Sequence, residues 1–123
     1  MAPNILSLHH VAINVRDLEE ARIFYSDVLG FTELEAPAMA IEQGIRWFDL
    51  GDGRALHLIQ TAESSPTGRA HFAISVSNAK AWRAHIEQAG LEVLEPTVEL
   101  YNANRFFLRD PWGNLFEFVQ WLG

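Results

Sequence analysis

Three histidines and one glutamate fall at related positions in this chain. His10 and His71 each open a short alternating run, HVAINV and HFAISV, and His57 and Glu117 each sit inside an apolar run, ALHLIQ and LFEFVQ. Three imidazoles and one carboxylate make a nitrogen and oxygen set suited to a divalent metal. Each residue also has a structural reading. A histidine on a half-buried strand is commonly just hydrogen-bonded, and His10 competes with its neighbour His9. A carboxylate flanked by Phe116 and Phe118 is costly to bury unless a cation or donors compensate it. Arg105 or Arg109 could be that cation without any metal. The joint pattern favours the site, because unrelated structural residues have no reason to share repeat positions and faces.

The repeat runs through most of the chain. With His10 set on His71, a shift of 61, Ala12, Ile13 and Val15 fall on Ala73, Ile74 and Val76. Leu18, Ala21, Tyr25 and Val28 then fall on Ala79, Trp82, Ile86 and Ala89, one apolar stripe at helical spacing in each half. Asp17 with Glu20 reads as a capping box, and Ser77 or Asn78 can cap the second helix. Gly30 and Gly90 stand where a left-handed helix end belongs, but at a shift of 60, so one residue is lost near the second helix end. That shift then holds, placing Gly53 on Gly113, His57 on Glu117 and Gln60 on Gln120.

Each half therefore reads strand, helix, strand, strand, strand. The expected strands are 6–15, 31–36, 45–50 and 54–60, then 70–76, 91–99, 104–109 and 114–121. Modules of about 5–61 and 70–121 form one domain, joined by a polar linker over 62–69. The stretch 37–44 either covers a pocket or turns the chain. Residues two apart share a strand face. Val11, Ile13 and Val15 should pack on the first helix, and Phe72, Ile74 and Val76 on the second. Leu56 with Leu58, and Phe116 with Phe118, do the same. The opposite faces carry His10, His57, His71 and Glu117. His85 lies off its helix stripe and reads as solvated, and Trp47, Trp82, Trp112 and Trp121 read as core or interface.

Composition narrows the partners. The chain has 123 residues, 49% hydrophobic and 20% charged, enough for one packed domain. It has no cysteine, which excludes disulfides and thiolate metal sites. The formal charge of -7 argues against nucleic acid or an anionic membrane as the main partner. No apolar run approaches a membrane span and the N-terminus lacks a signal-peptide pattern, so a cytoplasmic location is expected.

Three segments resemble the vicinal oxygen chelate superfamily, which includes glyoxalase I, extradiol dioxygenases, fosfomycin-resistance enzymes and bleomycin-resistance proteins. They are HHVAINVRDLEEARIFYSDVLGF, AHFAISV and RFFLRDPWGNLFEFVQ, of which the last is the most specific. The resemblance implies an α+β fold of two tandem βαβββ modules, forming a cupped eight-stranded mixed sheet with helices on the outside. It implies a homodimer, with ligands of one site shared between chains, and a small-molecule substrate. His10, His71 and Glu117 match its metal-ligand positions. His57 stands where glyoxalase I-like members carry a carboxylate and other small members carry histidine.

The chemistry so implied is that of a metal-dependent lyase or isomerase. One divalent ion per site (nickel, zinc, manganese, cobalt or iron) would grip adjacent substrate oxygens, and Glu117 would be both ligand and catalytic base. Asn14 replaces the cationic glutathione-binding residue of glyoxalase I, and Tyr101 and Arg105 are further candidates for substrate binding. An extradiol-type dioxygenase is the second reading, with His57 crowding the iron. A metal-free binding protein like the bleomycin-resistance group is the third.

Overall fold

The computed structural model describes residues 2–63, 66, 68–98 and 102–123. The chain divides into two compact units, Met1–Ile13 with Asp17–Gln60, and Asn14–Arg16 with Thr61–Gly123.

The first unit is built from most of β1 (His10–Val15, whose last two residues are counted with the second unit), α1 (Leu18–Ile23), β2 (Glu33–Leu34), α2 (Ala38–Glu42), β3 (Ile45–Gly51) and β4 (Arg54–Gln60). Its sheet has the order β1-β4-β3-β2. The α1 start is capped as the sequence suggests, with the Asp17 Oδ1 accepting from the Glu20 amide at 3.0 Å. The helix then widens into a π turn over Phe24–Val28. Gly30 follows at φ 84°, and the Phe31 amide donates back to the Tyr25 carbonyl at 2.8 Å. Ala21, Phe24, Tyr25 and Leu29 are buried, as are Phe48, Leu56 and Leu58 of the sheet. Burying such side chains is what holds a helix this short in place. The stretch 37–44 contains the short helix α2.

The second unit holds β5 (His71–Ser75), α3 (Ala79–Gln88), β6 (Ala103–Arg109) and β7 (Leu115–Trp121). Its sheet has the order β5-β7-β6, with β5 parallel and β6 antiparallel to β7. Asn78 is the cap of α3, its Oδ1 accepting from the Ala81 amide at 3.0 Å. At the other end, Gly90 has φ 80° and the Leu91 amide donates to the Ile86 carbonyl at 3.2 Å. Ile86, Phe106, Leu108, Phe116 and Phe118 form the core, with Trp82 stacked on Phe118 at 5.0 Å.

The repeat is thus expressed as two similar halves of an α+β fold, with one correction. Residues 91–99 do not form a strand among the described residues, where only Leu94 bridges to Phe107. Pro96 explains this, because it has no amide to donate to a ladder. Among the described residues, seven strands in sheets of four and three therefore stand in place of the expected eight. No helix of the described residues is long and apolar enough to cross a membrane.

Candidate functional site

In the first unit, β4 carries His57 between Leu56 and Leu58, which are fully buried. His57 lies on the opposite face and is half-buried. Its ring is sandwiched. Trp47, its cross-strand partner on β3, stacks on one side at 4.6 Å and 6°. His10 of β1 stacks on the other at 4.1 Å and 13°. His10 is exposed, and its Nδ1 lies 2.9 Å from the Nδ1 of His9. Burial first, and then His10 and His9, hold the His57 imidazole below the ordinary histidine value. The ring therefore stays neutral over more of the pH range, which is the form that ligates metals.

Trp47 is the site residue that sequence reasoning missed. A hairpin counted outward from the Gly51 and Arg54 pair sets Phe48 opposite His57. A bulge between Asp49 and Gly51 shifts the register by one, so Trp47 takes that place.

In the second unit, His71 opens β5 and is exposed. Its Nδ1 lies 2.8 Å from the Arg69 carbonyl oxygen. A carbonyl only accepts, so Nδ1 donates and, in the neutral ring, Nε2 carries the lone pair. Its ring meets Phe107 edge-on at 5.0 Å. Glu117 of β7 is buried, and its Oε2 accepts from Arg105 Nη1 at 2.9 Å. Arg105 is therefore the compensating cation. Arg109 instead donates to the Gly113 and Gly68 carbonyls, each at 2.7 Å. The other Arg105 terminal nitrogen donates to the Val98 carbonyl, and the guanidinium lies 5.8 Å from the Phe107 ring centre.

A cavity of about 290 Å³ opens in this unit, lined by His71, Arg69, Arg105, Phe107 and Leu115 among others. It lies beside the tight turn at 110–114, where Asp110 Oδ1 accepts from the Trp112 and Asn114 amides and its Oδ2 from Asn114 Nδ2. Asn114 Nδ2 also donates to the Asn14 carbonyl at 2.8 Å. Asn14 thus contributes its backbone to this turn, and its side chain is exposed. Tyr101 lies outside the described residues.

A family model described as the Glyoxalase/Bleomycin resistance protein/Dioxygenase superfamily matches residues 7–118. The chain belongs to this superfamily. It is 25% identical over 122 residues to an Arabidopsis thaliana protein named Glyoxylase I 4, covering 93% of this chain and 70% of that one. Among solved structures, a glyoxalase family protein from Bacillus anthracis matches with a TM-score of 0.88 and 28% identity, covering 98% and 99% of the two chains. A glyoxalase/dioxygenase from Nostoc punctiforme matches at 0.80 and 26%, covering 98% and 95%.

Members of this superfamily typically bind a divalent metal, and the donors here can be tested against one. Among the described residues, no three His, Cys, Asp or Glu side chains gather as a metal group. The first unit offers His10 and His57, and the second offers His71 and Glu117. Near-parallel rings point their in-plane lone pairs past one another, so sharing an ion requires the exposed His10 to turn out of the stack. His71 presents Nε2, and Glu117 keeps Oε1 without a hydrogen bond among the described residues. By their chemistry, the two imidazoles of the first unit and the imidazole and carboxylate of the second are each donor types that suit a divalent metal.

Proposed function

We propose that this chain is a divalent-metal-dependent small-molecule enzyme of the glyoxalase I-like type, a lyase or isomerase acting on a substrate that chelates through oxygens. The metal ligands are His10, His57, His71 and Glu117, two from each repeat-related half. The carrying observation is His71, a lining residue of the cavity, whose Nδ1 is committed to the Arg69 carbonyl while Nε2 has no hydrogen bond among the described residues. Such an anchored imidazole is the usual state of a metal ligand. The site is completed by a second copy of the chain in a homodimer.

A bound metal supplies stabilisation of negative charge developing on substrate oxygens. The chain supplies the rest. Glu117, the only carboxylate of the set, would take the substrate proton at Oε1 only while that oxygen is off the metal, and Arg105 on Oε2 holds the carboxylate in position for either role. Trp47 keeps the His57 ring in its plane. Phe107 and Leu115 exclude water from one wall of the cavity.

Arg105 also supports a second reading. It compensates Glu117 without any metal, as a binding protein of the bleomycin-resistance kind requires. Metal analysis of tag-free protein decides between the two. About one metal per chain, lost in Glu117→Ala and in His71→Ala, is the expected result. A chain that stays metal-free after incubation with nickel, zinc and ferrous iron overturns the enzyme reading. Isomerisation of 2-oxoaldehyde thiol adducts, set against oxygen consumption with catechols, then separates lyase from dioxygenase chemistry.

A further inference from the structure

The second unit's cavity is basic in an acidic protein. The chain has 16 Asp and Glu against 9 Lys and Arg, yet Arg69, Arg105 and Arg109 all line this one cavity. Among the described lining residues Glu95 is the only carboxylate, and it is bonded to Arg83. Arg109 is spent on two backbone carbonyls. Arg69 is exposed, and its guanidinium makes no bond among the described residues. Arg105 is committed at both terminal nitrogens, but its Nε is buried with no acceptor.

A buried N–H without an acceptor costs about 1–3 kcal/mol, and in a native structure it points to an acceptor that arrives from elsewhere. Leu94, Phe107 and Leu115 give the cavity an apolar part, beside the polar Thr97 and His71. A cavity of about 290 Å³ lies at the small end of ligand sites. The guanidinium fork matches a planar carboxylate.

We propose that this cavity binds the carboxylate of a small organic acid, with the exposed Arg69 as first donor, the buried Nε–H of Arg105 turning to meet it, and the acid's apolar tail against Leu94, Phe107 and Leu115. The inference deepens the metal-dependent reading in one respect: His71 lines the same cavity, so the acid's other oxygens face a ligand of that centre. Carboxylate binding itself needs no metal.

The test is calorimetric titration of the full chain, with and without chelator treatment, using 4-methyl-2-oxopentanoate, its methyl ester and inorganic phosphate. The acid binds, the ester binds about tenfold more weakly or worse, and phosphate does not displace the acid. Arg69→Gln weakens the acid about tenfold and leaves both the ester and thermal unfolding unchanged. Arg105→Lys, which keeps a cation for Glu117, also weakens the acid; if it does not fold, Arg69→Gln carries the test. Equal affinity for acid and ester, phosphate binding in preference to the acid, or no binding of the acid each overturns the proposal. Acid binding by a chain that takes up no metal overturns the metal reading alone. A metal-loaded chain that ignores the acid overturns this inference alone.

Discussion

Arg105 Nη1 and Glu117 Oε2 form a 2.9 Å ion pair whose side chains are only 12% and 10% exposed. The register makes it possible: Phe107 is the direct partner of Glu117 and Arg105 the partner of Val119, so Arg105 reaches Glu117 along the diagonal on the same face of the sheet. Removing one member leaves the other charge buried and uncompensated. Arg105→Met is expected to destabilise the chain by about 3 kcal/mol, and Arg105→Met with Glu117→Leu to recover most of that. Denaturant midpoints at constant slope measure both. A double variant no more stable than the single one contradicts this account.

His57 gives stability a pH dependence of known sign. Its folded-state value lies below the ordinary histidine value through burial and its neighbouring histidines. The unfolded chain therefore takes up the proton first as pH falls. The stabilisation is fully present above about 6.5 and is lost as pH drops through the folded value. Unfolding curves collected from pH 8 to pH 5 should show this loss, and His57→Gln should flatten it. An unchanged slope in His57→Gln would place the effect elsewhere.

Trp47 shields the same ring. With Trp47→Leu, solvent reaches His57 and its titration moves up toward the ordinary value, because burial is the leading cause of the depression. NMR titration of the His57 ring protons reads this directly. A value that stays put in Trp47→Leu means that His10 and the β4 neighbours provide the burial.

Two glutamines at repeat-related positions do the same work. Gln60 Oε1 accepts from the Leu18 amide at 2.9 Å, and Gln120 Oε1 accepts from the Ala79 amide at 3.0 Å. Each satisfies an amide in the first turn of a helix, which the helix itself leaves unpaired. Gln60→Ala and Gln120→Ala should each cost about 1 kcal/mol. They share no partner, so the double variant should cost about their sum. A thermal scan of the three proteins checks it, and losses far from additive would mean that the two halves are coupled through these bonds.

Much of the fold was legible because its signals are local. The caps at Asp17 and Asn78, the left-handed Gly30 and Gly90 and the alternation around His10 and His71 depend on neighbouring residues alone. The repeat carried further than secondary structure. Its change of shift from 61 to 60 has a structural cause: the π turn holds one residue more between Tyr25 and Phe31 than α3 holds between Ile86 and Leu91. The expected strand over 91–99 failed because Pro96 interrupts it, a local signal that the repeat outweighed.

The sequence by itself determined the α+β repeat and the strand positions of His10, His57, His71 and Glu117, since periodicity and chain order set these. It also required a compensator for Glu117 but left Arg105 and Arg109 equal. Only the tertiary structure chose Arg105, seated Trp47 against His57 and gathered three arginines around one cavity. Those outcomes rest on strand register, where one bulged residue moves every later partner, and register is settled by packing across strands distant in the chain.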